Sequence, residues 1–103
     1  MNLQECLQEA IAQEASDVFI IAGLPLSYRK NGVICRFCEE KLLPADTERV
    51  ITEIYSCAGN RDMQGLYENG DDDFSFAIRG LSRFRVSAYK QRGTLSAVIR
   101  IIT

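Results

Sequence analysis

The stretch from Asp71 to Ile102 constrains the fold more than any other part of the chain. Three runs rich in Phe, Val, Ile and Tyr follow one another there, broken at Gly80 and at Gly93. Short β-branched and aromatic runs separated by glycine-containing breaks predict three strands in antiparallel succession. Side chains of a strand alternate between its two faces. In the middle run Phe84, Val86 and Ala88 therefore share one face, and Arg83, Arg85, Ser87 and Tyr89 share the other. The first face is suited to a core and the second carries two guanidinium groups side by side.

Charge sharpens this asymmetry. From residue 74 onward the basic side chains are Arg79, Arg83, Arg85, Lys90, Arg92 and Arg100, and no acid accompanies them. The chain as a whole has a formal net charge of −2, so a mildly acidic protein ends in a basic sheet. With no acid after Asp73, the arginines have no partner within these strands. Two readings follow: a solvated face balanced by acids from elsewhere in the fold, or an anion site. Phosphate suits the second, because the planar guanidinium binds its oxygens in bidentate fashion.

At 103 residues the chain is expected to form one domain with one hydrophobic core, residues 1–103. Its 47% hydrophobic and 25% charged content is that of an ordinary globular protein. No apolar stretch approaches the roughly 20 residues of a membrane helix. The first residues have no basic segment followed by an apolar one, so no signal peptide is expected. Four cysteines without an export signal predict reduced thiols and a cytoplasmic location.

Leu3, Leu7 and Ile11, flanked by Cys6 and Ala10, mark an amphipathic helix fading near Glu14. Asn2 and Glu5 have the spacing of a capping box. Val18 to Ile21 reads as a buried strand, Ala22-Gly23-Leu24-Pro25 as a turn, and Leu26–Lys30 and Val33–Phe37 as two further strands. Asn31-Gly32 between them predicts a type I′ hairpin. Cys35 and Cys38 form a lone Cys-x-x-Cys; a strand places them on opposite faces, and a closed zinc site would need all four thiols to converge. A helix is expected from Pro44 with Asp46 or Thr47 as its cap and Val50, Ile51, Ile54 and Tyr55 inward, ending at Gly59. Asn60 is expected to cap a short helix with Met63, Leu66 and Tyr67 inward, closed by Asn69-Gly70.

Gly65 and Gly70 have the glycine spacing of a phosphate-binding loop, but Asp71-Asp72-Asp73 follows instead of Lys and Ser or Thr. Hydrolysis of ATP by that route is excluded for this chain. The absence of His removes the usual imidazole chemistry. The element order predicts an α+β fold of the PAS-like or profilin-like kind: one antiparallel sheet of five to six strands, helices mainly on one face, and the other face free for interaction.

Ala15-Ser16-Asp17-Val18, Ala22-Gly23-Leu24-Pro25, Arg29 and Asn31-Gly32 form one block of residues. Asp73-Phe74-Ser75-Phe76, Gly80, Arg83-Phe84-Arg85-Val86, Gln91-Arg92-Gly93 and Val98-Ile99-Arg100 form a second. In order and spacing both resemble the start of the twitching-motility (type IV pilus retraction) ATPase family, the PilT family of the secretion ATPase superfamily. Phe19 departs from it, since a His is common there. The resemblance implies an N-terminal PAS-like domain. A RecA-like domain would follow it and bind ATP and Mg²⁺, in a cytoplasmic homohexamer attached peripherally to the pilus machinery of the inner membrane. It implies no cofactor held by these residues alone. It also implies that arginines of this domain reach a nucleotide held by the following domain: Arg83, Arg85 and Arg92, with Arg100 a lesser candidate. Extension motors of this kind usually carry additional N-terminal sequence, so the start at Met1 points to retraction. Two other readings stand beside it. A free-standing PAS-like sensor or protein-interaction domain would need an apolar ligand pocket with polar anchors. Nucleic-acid binding through Arg83-Phe84-Arg85 fits poorly with a pI near 5.1 and with Tyr89 as the one stacking aromatic, so no nucleic-acid partner is expected.

Overall fold

The structure, a computed structural model, describes residues 2–102. The order of elements is α1 (Leu3–Ala12), β1 (Asp17–Ile20), β2 (Pro25–Lys30), β3 (Val33–Lys41), α2 (Pro44–Cys57), α3 (Gln64–Asn69), β4 (Asp71–Ile78), β5 (Ser82–Gln91) and β6 (Thr94–Ile102). Local chemistry sets most of these boundaries. The Asn2 side chain accepts the Glu5 N–H at 2.8 Å, and the Glu5 carboxylate accepts the Asn2 N–H at 3.2 Å, which closes the expected capping box. Leu3, Cys6, Leu7 and Ala10 of α1 are buried. Asn31 and Gly32 have φ of 51° and 77°, the paired positive values of a type I′ turn.

The end of β3 and the caps of α2 and α3 differ from the expectation. The β3 strand runs on to Lys41 because the register shifts between Pro25 and Ser27, and the pairing continues through Leu42 N–H to the Leu24 carbonyl at 2.9 Å. Neither Asp46 nor Thr47 caps α2. Pro44 has no N–H to satisfy and a preset φ, so the helix begins there behind Leu43. Asp46 then accepts the Leu43 N–H at 2.8 Å, while Thr47 is buried and donates to the Pro44 carbonyl at 3.0 Å. Asn60 does not cap α3 either; at φ 56° it belongs to the turn that leaves α2, and Asp62 accepts the Gln64 N–H at 2.9 Å instead. A helix this short buries Leu66 but leaves Tyr67 43% exposed, where an inward position was expected. Gly70, at φ 85°, ends it, so the glycine pair at Gly65 and Gly70 is helix interior and helix C-cap.

The sheet has six strands in the order β3-β2-β1-β6-β5-β4, with every neighbouring pair antiparallel. The chain builds one meander outward from β1, crosses over through α2 and α3, and builds the second inward to β6. The two meanders meet where β1 pairs with β6, at the centre of the sheet. The helices cover one face. Val18, Ile20, Phe84, Val86, Ala88 and Ile99 point into the core against Leu7, Ile51, Ile54, Tyr55 and Leu66. Phe84 is fully buried with its ring 5.0 Å from that of Phe76, and truncation to Ala would cost about 3–5 kcal/mol. This is the α+β, PAS-like architecture that the sequence predicts.

A polar cluster ties the crossover to β4. Tyr55 donates its hydroxyl to Asp72 Oδ2 at 2.8 Å, and Arg61 grips the same carboxylate from Nε at 3.0 Å and from Nη2 at 2.9 Å. The Arg61 guanidinium also lies 4.8 Å from the Phe74 ring centre. The Arg61 hydrogen bonds, with help from Tyr55, hold the Asp72 carboxyl below the usual carboxylate range despite its burial. Burial and the Asp72 hydrogen bond push the Tyr55 phenol up.

Candidate functional site

The sheet face away from the helices carries the arginines. Its central row follows from the strand register: Ser75 on β4 pairs with Arg85 on β5, Arg85 with Arg100 on β6, Arg100 with Asp17 on β1, and Asp17 with Arg29 on β2. Neighbouring strands lie about 4.8 Å apart, so these side chains stand next to one another across the sheet. Arg85 and Arg100 line an open depression of about 500 Å³ together with Asp17, Asp73, Ser75 and Ser87. Ser87 donates its hydroxyl to Asp73 at 2.8 Å, which fixes the rim of that depression on the β4 side.

The strand alternation expected for β5 is present: Phe84, Val86 and Ala88 are buried, while Arg83 and Arg85 are exposed. The expectation that the arginines lack a carboxylate partner holds for Arg83, Arg85 and Arg92 among the described residues, where none forms an ion pair. Arg100 too has no partner within the C-terminal strands, but it has one from elsewhere in the fold. Its Nε lies 3.6 Å from Asp17 Oδ1, and the acid comes from β1, at the other end of the chain. The acid needed to balance this arginine is thus delivered by topology.

The four candidate arginines do not form one cluster. Arg83, Arg85 and Arg100 lie together near one end of the β5–β6 pair. Arg83 points out at the edge of a second depression, lined also by Ile11, Ala15, Leu81, Ile101 and Ile102. Arg92 sits in the two-residue turn at the opposite end of the hairpin, with φ 54°. Seven residues separate it from Arg85 along an extended strand, or roughly 23 Å. A single anion seated between Arg85 and Arg100 is therefore out of reach of Arg92.

Sequence reasoning overlooked Asp17 and Arg29 as members of the row. Asp17 is the deeper of the two, with its side chain 8% exposed and its Oδ2 accepting the Ser16 hydroxyl at 2.7 Å. Arg29 lies with its guanidinium 5.3 Å from the Phe19 ring centre on the same face. Alternation would have placed Asp17 and Phe19 on one face of β1; no local signal pairs Asp17 with Arg100.

Among the described residues no group of three or more His, Cys, Asp or Glu side chains is placed to hold a metal ion. Cys6 is buried, Cys35 half-buried, and Cys38 and Cys57 exposed, all as free thiols. No helix of the described residues is long and apolar enough to cross a membrane.

No family model matches the chain. It is 34% identical over 102 residues to the type IV pilus retraction ATPase PilT of Pseudomonas aeruginosa, a span of 99% of this chain and 29% of that protein. It is 32% identical over 102 residues to the type IV pilus ATPase PilU of the same organism, covering 99% of this chain and 26% of that protein. The chain therefore spans under a third of the length of the curated relatives it matches. Among solved structures, the pilus retraction motor PilT with bound ADP superposes with a TM-score of 0.83 and 37% identity, covering 100% of this chain and 29% of that one. The ATPase DotB of Legionella pneumophila shares the fold at a TM-score of 0.77 with 23% identity, over 98% of this chain and 28% of that one. The chain is a homologue of the N-terminal region of the PilT and PilU pilus ATPases.

Proposed function

We propose that this domain works as the N-terminal part of a type IV pilus motor of the retraction type. In that reading a RecA-like domain follows, holds ATP with Mg²⁺, and assembles into a cytoplasmic homohexamer bound peripherally to the pilus machinery of the inner membrane. The present domain closes over the nucleotide and contacts neighbouring subunits. The observation that carries this is the pair of cross-strand arginines, Arg85 and Arg100, exposed on the helix-free sheet face with Arg83 beside them. Similarity to a retraction ATPase over 99% of the chain supports it.

The chemistry asked of these residues is charge stabilisation. Phosphoryl transfer spreads negative charge over the phosphate oxygens, and guanidinium groups supplied from outside the phosphate-binding loop lower that barrier. In this reading Arg85 and Arg100 act together on one phosphate group, with Arg83 flanking them. Arg92, at the far end of the hairpin, serves a separate contact, either another part of the nucleotide or a neighbouring subunit. The chain of 103 residues alone should not turn over ATP, because it lacks a phosphate-binding loop of the kind that catalyses the reaction.

The test is steady-state ATP hydrolysis by the motor protein that carries this domain. Arg85→Ala should lower turnover roughly ten- to a thousandfold at unchanged thermal stability, below the 10³–10⁵ of a sole arginine finger because several arginines share the task. Arg85→Lys should not restore the rate fully, since an ammonium lacks the fork. Full turnover in Arg85→Ala, in Arg92→Ala and in the double variant would overturn the proposal.

A further inference from the structure

Asp17 stands out on the helix-free face as a carboxylate sunk between exposed arginines. Its side chain is 8% exposed, whereas that of Arg100 is 70% exposed. Two features fix it. Oδ2 accepts the Ser16 hydroxyl at 2.7 Å, and the Ser16 main chain is itself held between the Arg29 carbonyl at 2.8 Å and the Ile101 N–H at 2.9 Å. That leaves Oδ1 facing Arg100, whose Nε lies 3.6 Å away: an ion pair rather than a hydrogen bond. Arg29, on the other flank of Asp17, has its guanidinium at the Phe19 ring and forms no ion pair with the carboxylate.

We infer that Asp17 is a positioning residue for the arginine row: it holds Arg100 by its Nε side, so that the terminal nitrogens of Arg100 stand free beside Arg85 as a two-arginine seat for a nucleotide phosphate. The inference rests on the functional reading above and adds to it the group that orients the seat. Arg85 and Arg100 are cross-strand partners, and like charges directly opposite on a sheet repel. Without a counter-charge Arg100 would swing away from Arg85 into solvent. Asp17, on the side of Arg100 away from Arg85, holds the guanidinium toward β1 on the sheet face, and the fork that grips phosphate in bidentate fashion is left open to the depression that the two arginines line. No hydrogen bond from the Arg100 terminal nitrogens to protein is present among the described residues.

The first test uses this chain. The side-chain Nε–H resonances of its arginines are recorded by ¹⁵N NMR, with Arg100→Lys identifying the Arg100 signal. Asp17→Asn should shift and broaden that signal with the backbone spectrum otherwise retained; an unmoved signal overturns the inference. The second test is a double-mutant cycle in ATP hydrolysis by the motor protein. Asp17→Asn and Arg100→Ala should each lower kcat about tenfold with a smaller effect on KM for ATP, and the double variant should be no worse than Arg100→Ala alone. Asp17→Glu should recover part of the loss. Multiplying effects would mean that Asp17 acts on the fold and not through Arg100, and would also overturn the inference. If Asp17→Asn does not fold, Ser16→Ala loosens the carboxylate without removing it. It should lower kcat about threefold in the parent and leave it unchanged in the Arg100→Ala background, and any other pattern overturns the inference. Full turnover in Arg85→Ala, in Arg92→Ala and in the double variant would bring down the functional reading itself. An impaired Arg85→Ala beside a silent Asp17→Asn would bring down only the role given to Asp17.

Discussion

Arg85 and Arg100 occupy directly opposed positions on β5 and β6, and among the described residues only Arg100 of the two has a carboxylate within ion-pair distance. The two arginines therefore contribute to stability with opposite sign. Arg85 adds a like charge to its neighbour, while Arg100 balances the buried Asp17.

Arg85→Thr should consequently stabilise the domain by about 0.5 kcal/mol, because it removes a repulsive cross-strand pair and introduces a good strand former. Arg100→Ala should destabilise it by about 0.5–1 kcal/mol, a modest loss because the arginine itself is well exposed to solvent. Urea denaturation of the two variants checks this; the same sign of change in both would contradict the charge assignment.

Arg92 occupies the first position of a two-residue hairpin turn at φ 54°, a conformation in which Asn is far better tolerated than Arg. Arg92→Asn should raise stability by about 0.5–1 kcal/mol. If Arg92 makes a contact in the motor, the same substitution lowers activity, and its effect adds to that of Arg85→Ala because the two sites are far apart. Thermal melting of the chain and hydrolysis by the motor protein measure the two halves. A loss of stability in Arg92→Asn would refute the strain argument.

The Tyr55–Asp72–Arg61 cluster predicts an acid limit to stability. Arg61 holds the Asp72 carboxyl below its ordinary value, so the native state favours the ionised form. That contribution is fully present above the unfolded carboxyl pKa, about 3.9, and is lost as pH falls through the lower folded value. Asp72→Asn should flatten the fall in stability measured by denaturation between about pH 5 and pH 2. Tyr55→Phe should cost about 1.5 kcal/mol at neutral pH, the low end for a hydrogen bond to a charged group, since Arg61 still holds the carboxylate. An Asp72→Asn curve parallel to the parent would show that other carboxylates govern the acid limit.

The four thiols should react in order of exposure. Cys38 and Cys57 are exposed, whereas burial pushes the Cys6 thiol up to about 12. Alkylation near pH 8 followed by mass spectrometry should label Cys38 and Cys57 first and spare Cys6 until the chain unfolds. Labelling of Cys6 at the rate of Cys38 would mean that α1 opens readily from the sheet. Elemental analysis of protein purified without added metal should find no stoichiometric zinc.

Much of this domain is written in short segments. The Asn2–Glu5 capping box, the Asn31-Gly32 turn and the two faces of β5 follow from residues within a few positions of one another, and each appears in the structure as expected. The misplaced helix caps at Asp46 and Asn60 are local as well. There a competing local device, the proline at the first helical position or the Asp62 side chain, took the place of the expected cap.

What the sequence determined by itself is the set of strands, their buried faces and the exposure of Arg83 and Arg85, because alternation and turn chemistry act over a few residues. What only the tertiary structure decided is which charges meet. The crossover through α2 and α3 brings β6 beside β1, and that non-local pairing sets Asp17 against Arg100, which the tight β5–β6 hairpin already holds opposite Arg85. The register between strands from opposite ends of the chain is fixed by burial of the whole inner face against the helices. No short stretch of sequence carries that information.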